Sequence, residues 1–136
     1  MNRRQVLRLG GAGLVATVTA GCSSLGGSNE PPRVSMADGF SYEPERVTIR
    51  PGTTVRWVND SDVGHTVTAY EDGIPADAAY FASGGFESER AARADVSGGL
   101  LASGEAYEHT FEATETFEYF CIPHEGSGMT GGVVVR

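Results

Sequence analysis

Short stretches in which apolar and polar residues alternate make up most of the chain after residue 33. In "RVTIRPGTTVRWVND", Val47 and Ile49 precede a Pro-Gly turn, and Val55 and Trp57 then alternate with Thr54, Arg56 and Val58. A period of two is typical of strands that bury one face. The β-branched stretch "HTVTAY" and the terminal "GGVVVR" predict two further strands.

The segment "EAYEHTFEATETFEYFC" alternates twice and predicts two strands joined by a turn. The first strand places Tyr107, His109 and Phe111 on one face, and the second does the same for Phe117, Tyr119 and Cys121. Several short strands separated by Gly/Pro turns indicate an all-β fold, an antiparallel sandwich or barrel.

Residues 71–100 have little strand pattern. Within them, "ESERAARAD" contains alanines and a Glu89–Arg93 pair spaced i, i+4. We therefore expect one short helix between Glu87 and Asp95, covering an end of the sandwich.

The stretch "CIPHEGSGM", residues 121–129, places a thiol, an imidazole and a thioether in one short loop. The strand period points Cys121 inward, and the prolines and glycines of the loop permit a tight return. Cys121, His124 and Met129 can therefore face one point. Thiolate, imidazole and a weak thioether suit copper, and a His₂Cys set with a long axial Met is the blue-copper arrangement.

That arrangement needs a second histidine, and the sequence offers two. His65 follows the loop "DSDVG" and opens a predicted strand, which puts it at a sandwich end. His109 lies mid-strand between Tyr107 and Phe111. We predict His65 as the ligand and His109 as a structural histidine, inward or at the rim. Zinc is the competing metal, but it prefers four strong ligands, and thioether is a poor one.

Charge excludes one class of partner. The chain has 18 acidic residues against 10 basic ones, a net charge of -8 with a pI near 4.7, and this surface would repel nucleic-acid phosphates. All the basic residues are arginine. An acidic, lysine-free composition resembles that of extreme halophiles, although an ordinary acidic secreted protein remains the alternative.

The N-terminus predicts export and anchoring. Arg3-Arg4 followed by an apolar run too short to span a bilayer resembles a twin-arginine signal, and "TAGC" resembles a lipobox that ends at Cys22. We expect an export signal over 1–21, a flexible tether lipidated at Cys22 over 22–33, and the folded domain over 34–136. A plain signal peptide with a coincidental cysteine is the alternative. Cleavage would leave seven arginines against 18 acidic residues, a charge of -11.

With these residues in view, the chain resembles the small blue copper proteins of the plastocyanin family, and most closely the membrane-anchored halocyanins of halophilic archaea. Cys-x-x-His-x-x-x-x-Met is the plastocyanin spacing, and the strands leading to His65 and to the copper loop are also similar. The resemblance covers roughly residues 40 to 136. It implies a Greek-key sandwich of about eight strands with one type 1 copper near an end.

Two positions depart from the family pattern. Thr66 stands where plastocyanins commonly have an asparagine that helps to tie the two copper loops together. Phe120 replaces the family's exposed tyrosine, which puts a docking route at that position in doubt.

The ligand set predicts a one-electron carrier rather than an enzyme. We expect a monomer, lipid-anchored on the outer face of a haloarchaeal cell membrane, that shuttles electrons between redox proteins of the respiratory chain. A copper scavenger or a delivery protein for an oxidase is the alternative. A copper enzyme would normally need a second site, which three histidines cannot build, and a metal-free adhesive sandwich would leave Cys121, His124 and Met129 unexplained.

Overall fold

Residues 32–136, the part of the chain that the computed structural model describes, form a sandwich of two four-stranded sheets. The first sheet contains β1 (Arg33–Ala37), β2 (Ser41–Glu43), β4 (Thr53–Asn59) and β6 (Ala106–Phe111), in the order β2-β1-β4-β6. The second contains β3 (Arg46–Ile49), β5 (Thr68–Ala69), β7 (Thr116–Phe120) and β8 (Thr130–Val135), in the order β3-β8-β7-β5. The predicted all-β sandwich of eight strands is confirmed. The export signal, the lipidation site Cys22 and most of the tether lie outside the described residues.

The expectation of a wholly antiparallel sandwich was wrong for two strand pairs. β1 runs parallel to β4, and β3 runs parallel to β8, while the other pairs are antiparallel. The Pro51-Gly52 turn joins β3 to β4, which lie in different sheets, and Gly52 adopts the left-handed φ of +87°. Alternation in a sequence shows which face of a strand is buried, but it does not show which strand lies beside it.

The core lies between the sheets and is rich in aromatic rings. Trp57, with no exposed surface, packs edge-on against Tyr119 with the ring centroids 5.3 Å apart, and it also contacts Phe81 and Phe111. Replacing such a residue with alanine typically costs about 3–5 kcal/mol of stability. This packed interior gives the loops at the sandwich ends a rigid base.

The segment 71–100 contains more helix than predicted. The expected helix is present as α1 (Glu89–Ala94), begun by Ser88, whose side chain accepts a hydrogen bond from the Ala91 amide. A second helix, α2 (Val96–Gly99), follows directly and was missed. Its Ser-Gly-Gly sequence has low helix propensity, and the side chain of Asp95 stabilises it by accepting from the Gly98 amide.

The strand predicted from "HTVTAY" is shorter than expected. Only Thr68–Ala69 pairs with β7, whereas His65 forms an isolated bridge with Leu101. Val67 instead bonds to Ser83, through its carbonyl and through its amide. His65 therefore lies in a short stretch bridged to Leu101, rather than at the start of the paired strand.

Two short 3-10 segments, Glu71–Gly73 and Ile122–Ser127, complete the described elements. Within residues 32–136, none of the helices has the length and apolar character that a membrane crossing requires.

Candidate metal centre

Three of the four predicted ligands meet at one end of the sandwich. Nδ1 of His65 and Nδ1 of His124 lie 3.2 Å apart, and Sγ of Cys121 lies 3.7 Å from the first and 3.3 Å from the second. A triangle with these sides has a central point about 2 Å from each corner, close to a metal–nitrogen or metal–sulfur bond length. The donor atoms therefore fit a single metal ion, and thiolate with two imidazoles is a set that copper favours.

Cys121 is fully buried just beyond the end of β7. Its Sγ accepts a hydrogen bond from the Thr66 amide at 3.4 Å, which fixes the sulfur relative to the His65 segment. Burial raises the pKa of the thiol, although the nearby amide opposes the shift. A metal that binds the thiolate must therefore displace a proton from Cys121.

His65 has no exposed surface, and both of its ring nitrogens are engaged. Nδ1 faces the other donors, while Nε2 lies 2.8 Å from Oγ of Ser61. When Nδ1 binds a metal, Nε2 carries the proton and donates to the Ser61 hydroxyl, which in turn donates to Oδ1 of Asn59 at 2.8 Å. Desolvation lowers the pKa of His65, and the neighbouring His124 lowers it further.

Asn59 anchors this network. Its side-chain amide donates to the carbonyls of Val63 and Leu101 at 2.7 and 2.8 Å, and its oxygen also accepts from the Ser61 amide. The end of β4, the loop before His65 and Leu101, which directly follows the 71–100 segment, are thereby joined around one buried side chain. Sequence reasoning missed Asn59 and Ser61, although Asn, Asp and Ser directly after a strand signal such side-chain turns.

His124 is only partly buried, and its ring stacks on Phe40 with centroids 4.2 Å apart and 14° between the planes. Phe40 is 38% exposed and has a φ of +62°, a left-handed conformation that is rare for a bulky residue. Desolvation lowers the pKa of His124, which favours the neutral, metal-binding ring. Sequence reasoning gave no indication of Phe40.

The loop that carries the last three predicted ligands is closed at its base. The Cys121 amide donates to the Met129 carbonyl at 3.0 Å, and the Met129 amide donates to the His124 carbonyl at 3.3 Å. Gly128 supplies the left-handed φ of +87° that ends the 3-10 segment. A Cβ added to Gly126 would have no atom within 4 Å. Met129 is fully buried in the same apolar cluster as Cys121.

Both departures from the family pattern have structural explanations. Oγ1 of Thr66 accepts from the Ile122 amide at 2.9 Å, so Thr66 still joins the two ligand-bearing segments through its side chain and its own amide. Phe120 has no exposed surface, because the ring of Tyr70 stacks on it at 4.2 Å and Arg93 lies over it. The family's exposed aromatic surface is therefore covered at this position.

His109 lies outside the donor cluster found among the described residues. It is half-buried in β6, stacked on Phe81 at 4.8 Å and edge-on to Phe111. Burial lowers the pKa of His109. Its contacts are those of a packing residue on the sheet.

Comparison with known proteins agrees with this geometry. A model of copper binding proteins of the plastocyanin/azurin family matches residues 33–136. Plastocyanin from Scenedesmus fuscus is 37% identical over 95 residues, which cover 70% of this chain and 86% of that relative. Among solved structures, an amicyanin mutant in the Cu(I) state has a TM-score of 0.58 at 24% identity. The match covers 80% of this chain and 85% of the amicyanin chain. A purple cupredoxin from Nitrosopumilus maritimus has a TM-score of 0.57 at 25% identity, covering 77% and 99%.

The amicyanin likeness supports the fold, while the family model and the plastocyanin relative also support the chemistry. His65, Cys121, His124 and Met129 form an arrangement typical of a type 1 site. The chain belongs to the plastocyanin/azurin family of copper-binding proteins, and copper is its cofactor.

Proposed function

We propose that this protein is a one-electron carrier in which His65, Cys121, His124 and Met129 hold a single type 1 copper. The observation that carries the proposal is how firmly the donors are held by the protein itself. His65 is fixed by Ser61, and the Cys121 sulfur by the Thr66 amide. Donors held in this way need little rearrangement when the charge of the site changes, as a carrier requires.

Copper would supply the redox chemistry by cycling between Cu(II) and Cu(I), taking up one electron and releasing it unchanged. Thiolate and thioether suit the reduced ion and imidazole the oxidised one, so these side chains can retain both states. Cys121 remains a thiolate throughout the cycle and needs no proton donor.

His124 is the proposed point of electron exchange. Among the three clustered donors it is the one with an exposed surface, while Cys121 and His65 have none. Ile122, Pro123 and the exposed ring of Phe40 provide uncharged surface around it on an otherwise acidic protein. Uncharged patches of this kind often mark docking sites, here for redox proteins of a membrane electron-transport chain.

Copper delivery to an oxidase is the second candidate function. It would require the ion to leave readily, and the buried sulfur and buried His65 favour retention instead. An enzymatic role is not proposed, because the third histidine is engaged in aromatic packing on β6.

Absorption and EPR spectra of the copper-loaded protein test the carrier proposal. We expect one copper per chain and an intense thiolate-to-copper band that Cys121→Ser abolishes and His109→Ala retains. The protein is then cycled repeatedly between reductant and oxidant with a Cu(I) chelator present. Retained copper and restored colour support a carrier, whereas rapid loss of copper on reduction would instead support delivery.

The carrier is further proposed to be a monomer tethered by lipid at Cys22 to the outer face of the cell membrane. The twin-arginine-like start and the "TAGC" sequence support this location. Cys22→Ser should release the domain or leave it unprocessed, as fractionation and mass spectrometry would show. A variant that is cleaved and membrane-bound like the wild type would rule the lipid anchor out.

A halophilic source is proposed from the acidic, lysine-free composition. Repulsion among the carboxylates destabilises the fold, and molar salt shortens the Debye length to about 3 Å. The melting temperature should therefore rise substantially from low to molar salt, and a flat response would contradict this origin.

A further inference from the structure

One guanidinium contacts the neighbours of two proposed copper ligands. Arg93, on α1, donates from both terminal nitrogens to Glu125, at 2.9 and 3.3 Å, and Glu125 directly follows His124 in the chain. The same guanidinium lies over the ring of Phe120, 4.4 Å from its centroid, and Phe120 directly precedes Cys121. A side chain of the 71–100 segment thus bridges the two sides of the copper loop.

Tyr70 completes the arrangement. Its hydroxyl donates to Oε2 of Glu125 at 2.7 Å, and its ring stacks on Phe120 with the centroids 4.2 Å apart. Glu125 therefore accepts hydrogen bonds on both carboxylate oxygens, and the Phe120 ring contacts both an aromatic ring and a cation. Two-nitrogen, two-oxygen pairing and membership of a network distinguish this ion pair from an isolated surface salt bridge.

The helix that carries Arg93 is itself held in place. Nε of Arg93 donates to Glu89 at 2.8 Å, one turn earlier on α1. Glu89 accepts a hydrogen bond from the Glu71 amide at 3.0 Å, and Glu71 accepts one from the Glu89 amide at 2.9 Å. Ala92, on the same helix, is buried. Arg93 is thus held by Glu89 on its own helix as well as by Glu125 on the copper loop.

We propose that Arg93 is a positioning residue for the copper site, and that the 71–100 segment acts as a brace on the copper loop. The inference rests on the carrier function proposed above. By holding the residues next to Cys121 and His124, Arg93 keeps sulfur and imidazole at a constant separation. This gives the helical segment a role beyond covering one end of the sandwich.

The charges of the brace also predict the direction of a redox effect. Arg93→Ala would leave the carboxylates of Glu89 and Glu125 uncompensated near the metal, and negative charge favours the more positive Cu(II). The reduction potential should therefore fall. Glu125→Gln leaves the guanidinium less compensated and should raise the potential, while Arg93→Lys keeps the charge but loses the paired geometry.

The experiment compares these three variants with Arg46→Ala. Arg46 forms an ion pair with Glu118 at 3.1 Å, on β3 and β7, and the side-chain hydrogen bonds found for Arg46 within residues 32–136 go to Glu118 alone. Two properties are measured on each copper-loaded protein: the reduction potential and the copper hyperfine pattern in the EPR spectrum. Amide hydrogen exchange over residues 121–129 is measured on each metal-free protein.

We expect Arg93→Ala to lower the potential, alter the hyperfine pattern and speed loop exchange, with Glu125→Gln shifting the potential the opposite way. Arg93→Lys should have a reduction potential close to that of the wild type, but its amide hydrogen exchange over residues 121–129 should be faster. Arg46→Ala should leave the spectrum and the loop unchanged. If Arg93→Ala does not fold, Arg93→Lys and Glu125→Gln decide the matter.

The brace is overturned if the Arg93 variants match Arg46→Ala in potential, spectrum and exchange, since Arg93 would then be an ordinary surface arginine. A wild-type protein that develops no blue colour with copper would contradict the carrier function instead. The exchange measurement needs no metal, so the two failures remain distinguishable.

Discussion

The two histidines of the metal centre are held in different ways. His65 is fully buried, its second nitrogen is bonded to Ser61, and Asn59 connects that network to the carbonyls around it. His124 reaches the surface, and outside the donor cluster its ring stacks on the exposed Phe40. One side of the site is built like a protein core and the other like an interface.

The difference indicates that the His65 side fixes the geometry of the site and that the His124 side gives access to it. Directional hydrogen bonds on the His65 side fix a ring orientation. Stacking on the His124 side steadies a ring while leaving its edge available to a partner. An electron carrier needs both properties, because its geometry must be constant and its metal must still be reachable.

Removing each imidazole should give the largest and most unequal effects. His65→Gly and His124→Gly should both lose the blue band. Added imidazole should restore it in His124→Gly, where the gap opens to solvent, and not in His65→Gly, where the gap is enclosed. Absorption titrations with imidazole measure this, and His109→Ala is the control that keeps its colour. Equal rescue of the two variants would remove the distinction between the sides.

Weakening the buried side should reduce copper affinity. Ser61→Ala deprives His65 Nε2 of its partner, and loss of such an outer contact typically lowers metal affinity about 10–100-fold. Competition with a chelator of known affinity measures the change. Thr54→Val, which removes a hydroxyl from an exposed pair with Thr110, is the control and should have no effect. An unchanged affinity in Ser61→Ala would show that burial alone orients His65.

The buried thiol should make copper binding depend on pH. The pKa of Cys121 is raised by burial, so the thiol is protonated at neutral pH and each bound metal displaces a proton. Apparent affinity should rise about tenfold per pH unit below that pKa. The two histidines have lowered pKa values and add a further dependence only in acid. Affinity that is constant across the neutral range would mean the thiol is already ionised.

Changing the exposed side should have the smallest effect on stability. Phe40→Gly removes the stacked ring, worth about 0.5–1.5 kcal/mol, and relieves a left-handed backbone that costs about 1–2 kcal/mol. The two effects oppose each other, so the free energy of unfolding should change by no more than about 1.5 kcal/mol, as denaturant titration would show. The NMR signals of the His124 ring, which stacks on Phe40 at 4.2 Å, should shift more than those of His65, whose ring lies edge-on to Phe40 at 6.5 Å. A large loss of stability would place Phe40 among the core residues.

Sequence patterns predicted the parts of the site that depend on local spacing. Alternation in β7 pointed Cys121 inward, and the loop after it brought His124 close because nine residues closed by Gly and Pro have few routes. His65 was placed at the right end of the sandwich, although the strand it was expected to open begins only at Thr68. The ligand role of these residues and of Met129 remains a prediction for the spectra to test.

The parts that sequence could not supply are contacts between distant segments. Arg93 and Glu125 are 32 residues apart, and no pattern in either segment specifies the other. The Phe40–His124 stack likewise depends on where the β1–β2 turn lies relative to the copper loop. The Asn59 network does have a local signal, because polar residues follow the buried part of β4 directly.

The open space around Gly126 has a practical consequence. Its φ lies outside the left-handed region, and an added Cβ would meet no atom within 4 Å. A cysteine introduced there would stand two residues from His124, while Cys121 is shielded by burial. Position 126 is thus suitable for attaching a fluorescent reporter, or for coupling the protein to an electrode close to His124, the proposed point of electron exchange.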